Sequence, residues 1–226
     1  MSYTKYLLCF LACFIGFHLF SQSNFESLGE STFALNKRFS SHYKFNFALR
    51  SRYYMYRDDA ISFENRQLDL VHFSTFNLDY NNAISLGVQY RLRESIDGGS
   101  NELRLTQQFN YTKKNHALRF GHRVRLEQRI LDELTILRSR YRLAVDFPLN
   151  GEKLNVGEGY LVTSIEGLLS LAEKLNPELD YRTTTQIGWL ISETLKLQLG
   201  LEYRFEVFNI DTEEKLFFLT SVIFKV

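Results

Sequence analysis

Cysteine and proline are almost missing from this chain of 226 residues. Its two cysteines, Cys9 and Cys13, both lie in the first 22 residues, so a chain that loses this segment carries no thiol. Disulfides, thiolate nucleophiles and cysteine-based metal sites are then excluded. The two prolines, Pro148 and Pro177, fall beside expected turns and leave the longer segments unbroken. Beyond the N-terminal segment there is no apolar run of the roughly 20 residues that a spanning helix needs. Charge of one dominant sign is missing too. The 27 basic residues face 26 acidic ones, and loss of Lys5 leaves 26 of each. That balance argues against a nucleic-acid binder and leaves room for a locally basic interior. Aromatics are abundant instead, with 20 Phe and 13 Tyr.

Residues 1–22 read as a cleaved signal peptide and residues 23–226 as one domain. Lys5 is the only charge in the leader, Tyr6 to Phe20 is apolar, and Ser21-Gln22 precede Ser23. Leu11-Ala12-Cys13 resembles the end of a lipobox. About six apolar residues precede Cys13 and an apolar run follows it, which favours ordinary cleavage.

The most informative stretch runs from His116 to Asn150. Arg119, Arg123, Arg125, Glu127 and Arg129 alternate with Leu118, Phe120, His122, Val124, Leu126, Gln128 and Ile130. After Asp132-Glu133, Arg138, Arg140 and Arg142 oppose Leu137, Tyr141, Leu143, Val145 and Phe147. A period of two places successive side chains on opposite faces of a sheet. A helix competes, because Leu126, Ile130, Leu134, Leu137 and Tyr141 recur at three and four residues. Alternation elsewhere decides for strands. Tyr43, Phe45, Phe47 and Leu49 oppose Lys44, Asn46, Arg50 and Arg52; Ile84, Leu86, Val88 and Tyr90 oppose Ser85, Gly87, Gln89 and Arg91. The same holds near residues 67–80, 103–111, 179–191, 195–206 and 216–226. The pattern is weak at 27–37 and 156–166, and residues 165–175 are compatible with one or two helical turns.

Short turns are expected near 39–41, 81–82, 113–115 and 192–193, and longer loops near 57–62, 94–101, 167–177 and 208–214. Asp97-Gly98-Gly99 reads as a turn rather than a cation loop. The segments number eleven. Single-chain bacterial barrels have even numbers, so one segment is expected to be misassigned, either the first or 156–166. The expected fold is all-β: an antiparallel transmembrane β-barrel of 10–12 strands with a polar, Arg-rich lumen. A soluble sandwich would instead bury the apolar faces. The leader, the long strands and the loop asymmetry favour the barrel. Tyr43, Tyr80, Tyr111, Trp189 and Tyr203 would suit interfacial girdles. Arg on the lipid side would cost about 2–4 kcal/mol each, so the Arg rows must face the lumen.

The segment HRVRLEQR and the following RSRYRL carry a family resemblance through His122, Arg123, Arg125, Glu127, Gln128, Arg129, Arg138, Arg140, Tyr141 and Arg142. They resemble an uncharacterised domain-of-unknown-function family of small outer-membrane β-barrel proteins from Bacteroidota-type bacteria. The first strand lacks a Trp expected near its start. The resemblance implies a place in the outer membrane and no established activity; the barrel fold itself leads to the expectation of insertion by the barrel-assembly machinery.

The candidate site is a lumen charge network: Arg123, Arg125, Glu127, Arg129, Arg138, Arg140 and Arg142 on one hairpin, with Glu202, Arg204 and Glu206 on another strand. Its simplest role is to fill a small barrel. The alternative is a positive constriction that passes anions. A hydrolase is a third class, but it needs a nucleophile beside a histidine. His42 and His116 sit at expected turns, and His72 and His122 fall on the lipid-side register. No catalytic residue, metal site or cofactor is therefore expected, and the partners are outer-membrane lipid and no nucleic acid.

Overall fold

The computed structural model describes residues 25–173 and 175–226, and the expected signal peptide lies outside them. The strands are β1 (Phe25–Arg38), β2 (Tyr43–Arg57), β3 (Ala60–Ile61), β4 (Asn65–Asn77), β5 (Asn82–Leu92), β6 (Glu102–Asn115), β7 (Leu118–Ile130), β8 (Thr135–Pro148), β9 (Gly159–Ala172), β10 (Glu178–Leu190), β11 (Leu195–Glu206) and β12 (Glu213–Lys225). One short helix, α1 (Glu94–Asp97), lies between β5 and β6. All strands but β3 make one closed wall, since β1 pairs with both β2 and β12. β3 is a two-residue extension that pairs only with the end of β2. The Asp58-Asp59 turn before it has positive φ at both residues, 51° and 60°, as a tight primed hairpin turn requires.

The wall has eleven strands, and every neighbouring pair is antiparallel except β1 and β12, which are parallel. Strict up-and-down order makes the first and last strands of an odd set run the same way. Closure in parallel follows, with Phe25 opposite Glu214 and Asn36 opposite Lys225. The expectation that one of the eleven segments was misassigned is thus overturned. Both weak segments are strands. The helical turns expected at 165–175 are also corrected, because β9 runs to Ala172. Leu168 points inward there while Ile165, Leu169 and Leu171 point outward. Apolar residues on both faces hid the period of two.

The connections fall at two ends. The turn end holds residues 39–42, 78–81, 116–117, 149–158 and 191–194; the helix end holds β3, α1 and residues 131–134, 173–177 and 207–212. The expected length asymmetry holds only in part. The longest connection of the turn end, 149–158, sits among short turns, and the expected long loop at 167–177 shrinks to 173–177.

The pleat sorts the side chains sharply. Leu70, Leu86, Val124, Leu126, Leu137, Tyr141, Leu199 and Leu201 are exposed on the outside. Asp69, Arg91, Glu102, Arg104, Glu127, Glu166, Asp180, Arg182, Arg204 and Lys215 are buried inside. Among the described residues, outward-facing charge is confined to strand ends, Lys37, Lys113 and Glu214, while Arg57 at the end of β2 lies over the ring of inward-facing Tyr54. The outer wall between these strand ends carries no Lys, Arg, Asp or Glu. Several of its polar groups pair with one another instead. Gln107 and Gln128 exchange hydrogen bonds at 3.2 and 3.1 Å. His122 is hydrogen-bonded to the Tyr141 hydroxyl at 2.8 Å, His72 to Ser74 at 3.1 Å, and Thr163 to Thr185 at 3.2 Å.

Candidate functional site

Alternation aims whole rows of charge at the barrel axis. β7 supplies Arg123, Arg125, Glu127 and Arg129; β8 supplies Arg138, Arg140 and Arg142. β11 supplies Glu202, Arg204 and Glu206. Nine of these ten predicted residues line one lumen cavity of about 360 Å³. The tenth, Glu127, has a side chain with 0% exposure and sits behind the lining. The two groups, distant in sequence, face a common space.

The arginines are held by carboxylate hubs. Glu127 accepts from Arg125 at 3.3 Å and Arg140 at 3.1 Å, with Arg104 at 3.7 Å. Glu166 on β9 takes Arg123 at 2.8 Å and also takes Arg140. Glu102 on β6 takes Arg104 at 2.6 Å and Arg129 at 2.9 Å, with Arg91 at 3.5 Å. Glu206 takes Lys215 at 3.0 Å and Arg182 and Arg204 at 3.4 Å each. Glu202 accepts from Arg204 at 2.6 Å and from the Thr184 hydroxyl at 2.8 Å. Arg138 donates to Ser170 at 2.7 Å and stands 3.8 Å from Asp180. These are charge-assisted bonds in a confined space, where both the attraction and the penalty for breaking it grow.

Sequence reading missed several members. Asp69 holds Arg91 at 2.8 and 3.0 Å, and Glu30 holds Arg52 and Arg50 at 2.5 and 3.2 Å. Asp69, Asp180, Arg91, Arg104 and Arg182 already stood on the inner register, and closing the barrel brings them to the same lumen. Glu166 lay in the weakly patterned stretch. Arg66 had no signal at all. It is the extra residue of a β-bulge, where Arg52 pairs with Gln67 and Tyr53 with Asn65. Such a bulge re-aims a side chain, and Arg66 lines the cavity.

The lumen also has an apolar seam that alternation did not place. Leu28, Tyr54, Phe217 and Leu219 cluster on β1, β2 and β12. Ala34, Ala48 and Val71 form a second cluster with Phe73 and Ile223. Guanidinium groups cover this seam: Arg204 lies 3.8 Å from the Phe217 ring centre and Arg125 lies 5.2 Å from that of Phe73, cation–π distances. At the helix end, Asp97 of α1 accepts from Arg93 at 3.0 Å, Tyr54 at 3.3 Å and the Gly99 amide at 3.2 Å. Burial pushes the Asp97 carboxyl up, but the bond and charge of Arg93, with the other two donors, hold it below the usual carboxylate range.

Charge in the cavity is unbalanced. Its lining presents fourteen Arg and Lys215 against six acids, Glu30, Glu166, Glu178, Asp180, Glu202 and Glu206. Several cations oppose one another directly: Arg123 faces Arg142 and Arg125 faces Arg140 across β7 and β8, Arg104 faces Arg129, and Arg182 faces Arg204. Like charges so placed repel unless bridged. Of the described histidines, His72 and His122 lie on the outer wall and His42 and His116 at the turn end. Among the described residues, no group of three or more His, Cys, Asp or Glu is placed to hold a metal.

The model of one family, described as Protein of unknown function (DUF2490), matches residues 31–213, from within β1 to the first residue of β12. Neither a curated protein nor a solved structure matches the chain.

Proposed function

We propose that this chain, which belongs to the DUF2490 family, is an integral outer-membrane β-barrel whose lumen is braced by an Arg–carboxylate network. The observation that carries the reading is the uncharged outer wall between Lys37, Lys113 and Glu214 among the described residues. A monomer in water rarely exposes so continuous an apolar surface. In lipid the arrangement is favourable: a closed barrel leaves no unpaired strand edge, and the outward pairs Gln107–Gln128, His122–Tyr141 and Thr163–Thr185 are hydrogen-bonded. Tyr43, Tyr111 and Trp189 lie outward near the turn end, and Tyr90, Tyr181 and Tyr203 near the helix end. Two aromatic bands of this kind suit the two membrane–water interfaces. The proposed partners are therefore outer-membrane lipid and, for insertion, the barrel-assembly machinery. The reading assigns no reaction, because no described histidine faces the cavity. Fractionation with carbonate-washed outer membrane, together with faster migration of unheated protein in cold SDS gels, tests it. A washed-off protein with no heat-dependent shift contradicts it.

A second reading, a small anion-selective pore, is favoured by the cationic excess of the cavity lining. Conductance with anion preference in planar bilayers supports it. Electrically silent insertion leaves the braced barrel.

A further inference from the structure

We infer that the lumen holds a binding site for an oxyanion with more than one phosphoryl group, centred on Arg142. The inference rests on the barrel reading and goes beyond it by naming a ligand chemistry. Arg142 makes no hydrogen bond or ion pair with a described residue. Its inward neighbours are Arg123 on β7 and Glu166 on β9. Glu166 is already held by Arg123 and Arg140. Arg142 thus stands beside a like charge, and the carboxylate directly opposite it on β9 is already occupied, an arrangement that costs stability unless something else arrives.

The surroundings supply further idle donors. Arg182 stands opposite Glu166 on β10, with a side chain 9% exposed, and its Nε has no partner. The Nε atoms of Arg123 and Arg140 are likewise buried without a partner, as is the Nε2 of Gln89, 8% exposed. Buried donors are normally satisfied, and each orphan is costly. All four of these residues line the same cavity. Ser164 and Thr184 oppose each other one register step further on and line it too. Guanidinium groups bind phosphate oxygens in pairs. At about 360 Å³ the cavity sits at the lower end of the roughly 300–1,000 Å³ range of small-ligand pockets.

The charge count sets the ligand class. When buried Asp69, Glu102 and Glu127 are set against the lining, with Glu26, Asp97 and Glu213 that pair with Arg66, Arg93 and Lys215, cations still remain in excess by three. A single phosphate carries at most about two charges, so a diphosphate or a larger phosphorylated group fits better. The source is either a free phosphorylated molecule or the headgroup of a lipid reaching over the barrel rim.

The test uses the full chain folded in a phosphate-free detergent, titrated with inorganic pyrophosphate by calorimetry. Saturable binding that weakens with salt is expected, with a raised unfolding temperature. Arg142→Gln should weaken binding by roughly tenfold or more. The same variant without anion should be no less stable than the parent, since it removes a repulsion. Arg119→Gln, at a residue 58% exposed and paired with Asp146 at the turn end, should bind as the parent does. A parallel titration with a dispersed lipid bearing a diphosphate headgroup separates the sources: response to free pyrophosphate supports a soluble ligand, and response to the lipid alone supports the headgroup. A protein that keeps its heat-dependent gel shift but binds neither, or binds equally well as Arg142→Gln, overturns the inference and spares the barrel. Loss of the gel shift overturns both.

Discussion

Gln107 and Gln128 face each other diagonally across β6 and β7 on the outer wall, each amide donating to the other's carbonyl at 3.2 and 3.1 Å. In water such an exposed pair is worth almost nothing. In lipid, each amide is the other's only substitute for solvent. We expect Gln107→Leu and Gln128→Leu singly to destabilise the barrel by about 0.6–1.7 kcal/mol, and the double variant to recover most of that loss. Urea unfolding into lipid vesicles measures it. Single variants that are neutral contradict a lipid-facing pair.

Leu126, 50% exposed, neighbours that pair on the outer face of β7. Leu126→Arg should cost about 2–4 kcal/mol if the residue lies near the bilayer centre. Arg125→Leu, one residue away, should instead disturb the lumen. A change within about 0.5 kcal/mol for Leu126→Arg, as for an ordinary surface site, would place that face in water.

Glu127 is the hub for Arg104, Arg125 and Arg140 and has no exposed side-chain surface. Glu127→Gln should destabilise by about 3–5 kcal/mol, because three cations lose a shared counter-charge. Adding Arg140→Met should restore part of it. Chemical denaturation of both variants checks this; an additive double variant contradicts the hub.

Asp97 governs the pH response of the helix end. Its carboxyl lies below the ordinary range when folded. A depressed folded value adds stability that is complete above the unfolded value of about 3.9 and is lost as pH falls through the folded one. Hydrogen exchange across residues 94–99 should therefore be flat from neutral pH down to about 5 and rise sharply in stronger acid, after correction for intrinsic rates. Asp97→Asn should exchange fast throughout. A transition near neutrality would contradict the assignment.

Much of this architecture was legible in the chain because a period of two needs no partner to be seen. Val124, Leu126 and Tyr141 against Arg123, Arg125 and Arg140 fixed the two faces of the β7–β8 hairpin. Three things were not legible. Leu168 made β9 apolar on both faces, so its strand read as a possible helix. Arg66 turns inward through a bulge, which depends on how two strands meet. The acids that hold the arginines of the hairpin, Glu102 and Glu166, come from the strands on either side of it, β6 and β9, at a strand end and in a weakly patterned stretch, so only the pairing of the strands reveals them. The eleven alternating segments match the eleven strands of the wall, and parallel closure of β1 on β12 accommodates the odd number.

Nitroxide labels placed one at a time along β7, from His122 to Gln128, in the barrel reconstituted in lipid, test the central claim most directly. With Cys9 and Cys13 replaced by Ser, labels at 122, 124, 126 and 128 should collide preferentially with oxygen, which concentrates in acyl chains. Labels at 123, 125 and 127 should sense a water-filled or protein-packed lumen. An even accessibility to a water-soluble relaxer along the whole strand, or the opposite alternation, would contradict a wall with hydrocarbon outside and guanidinium within.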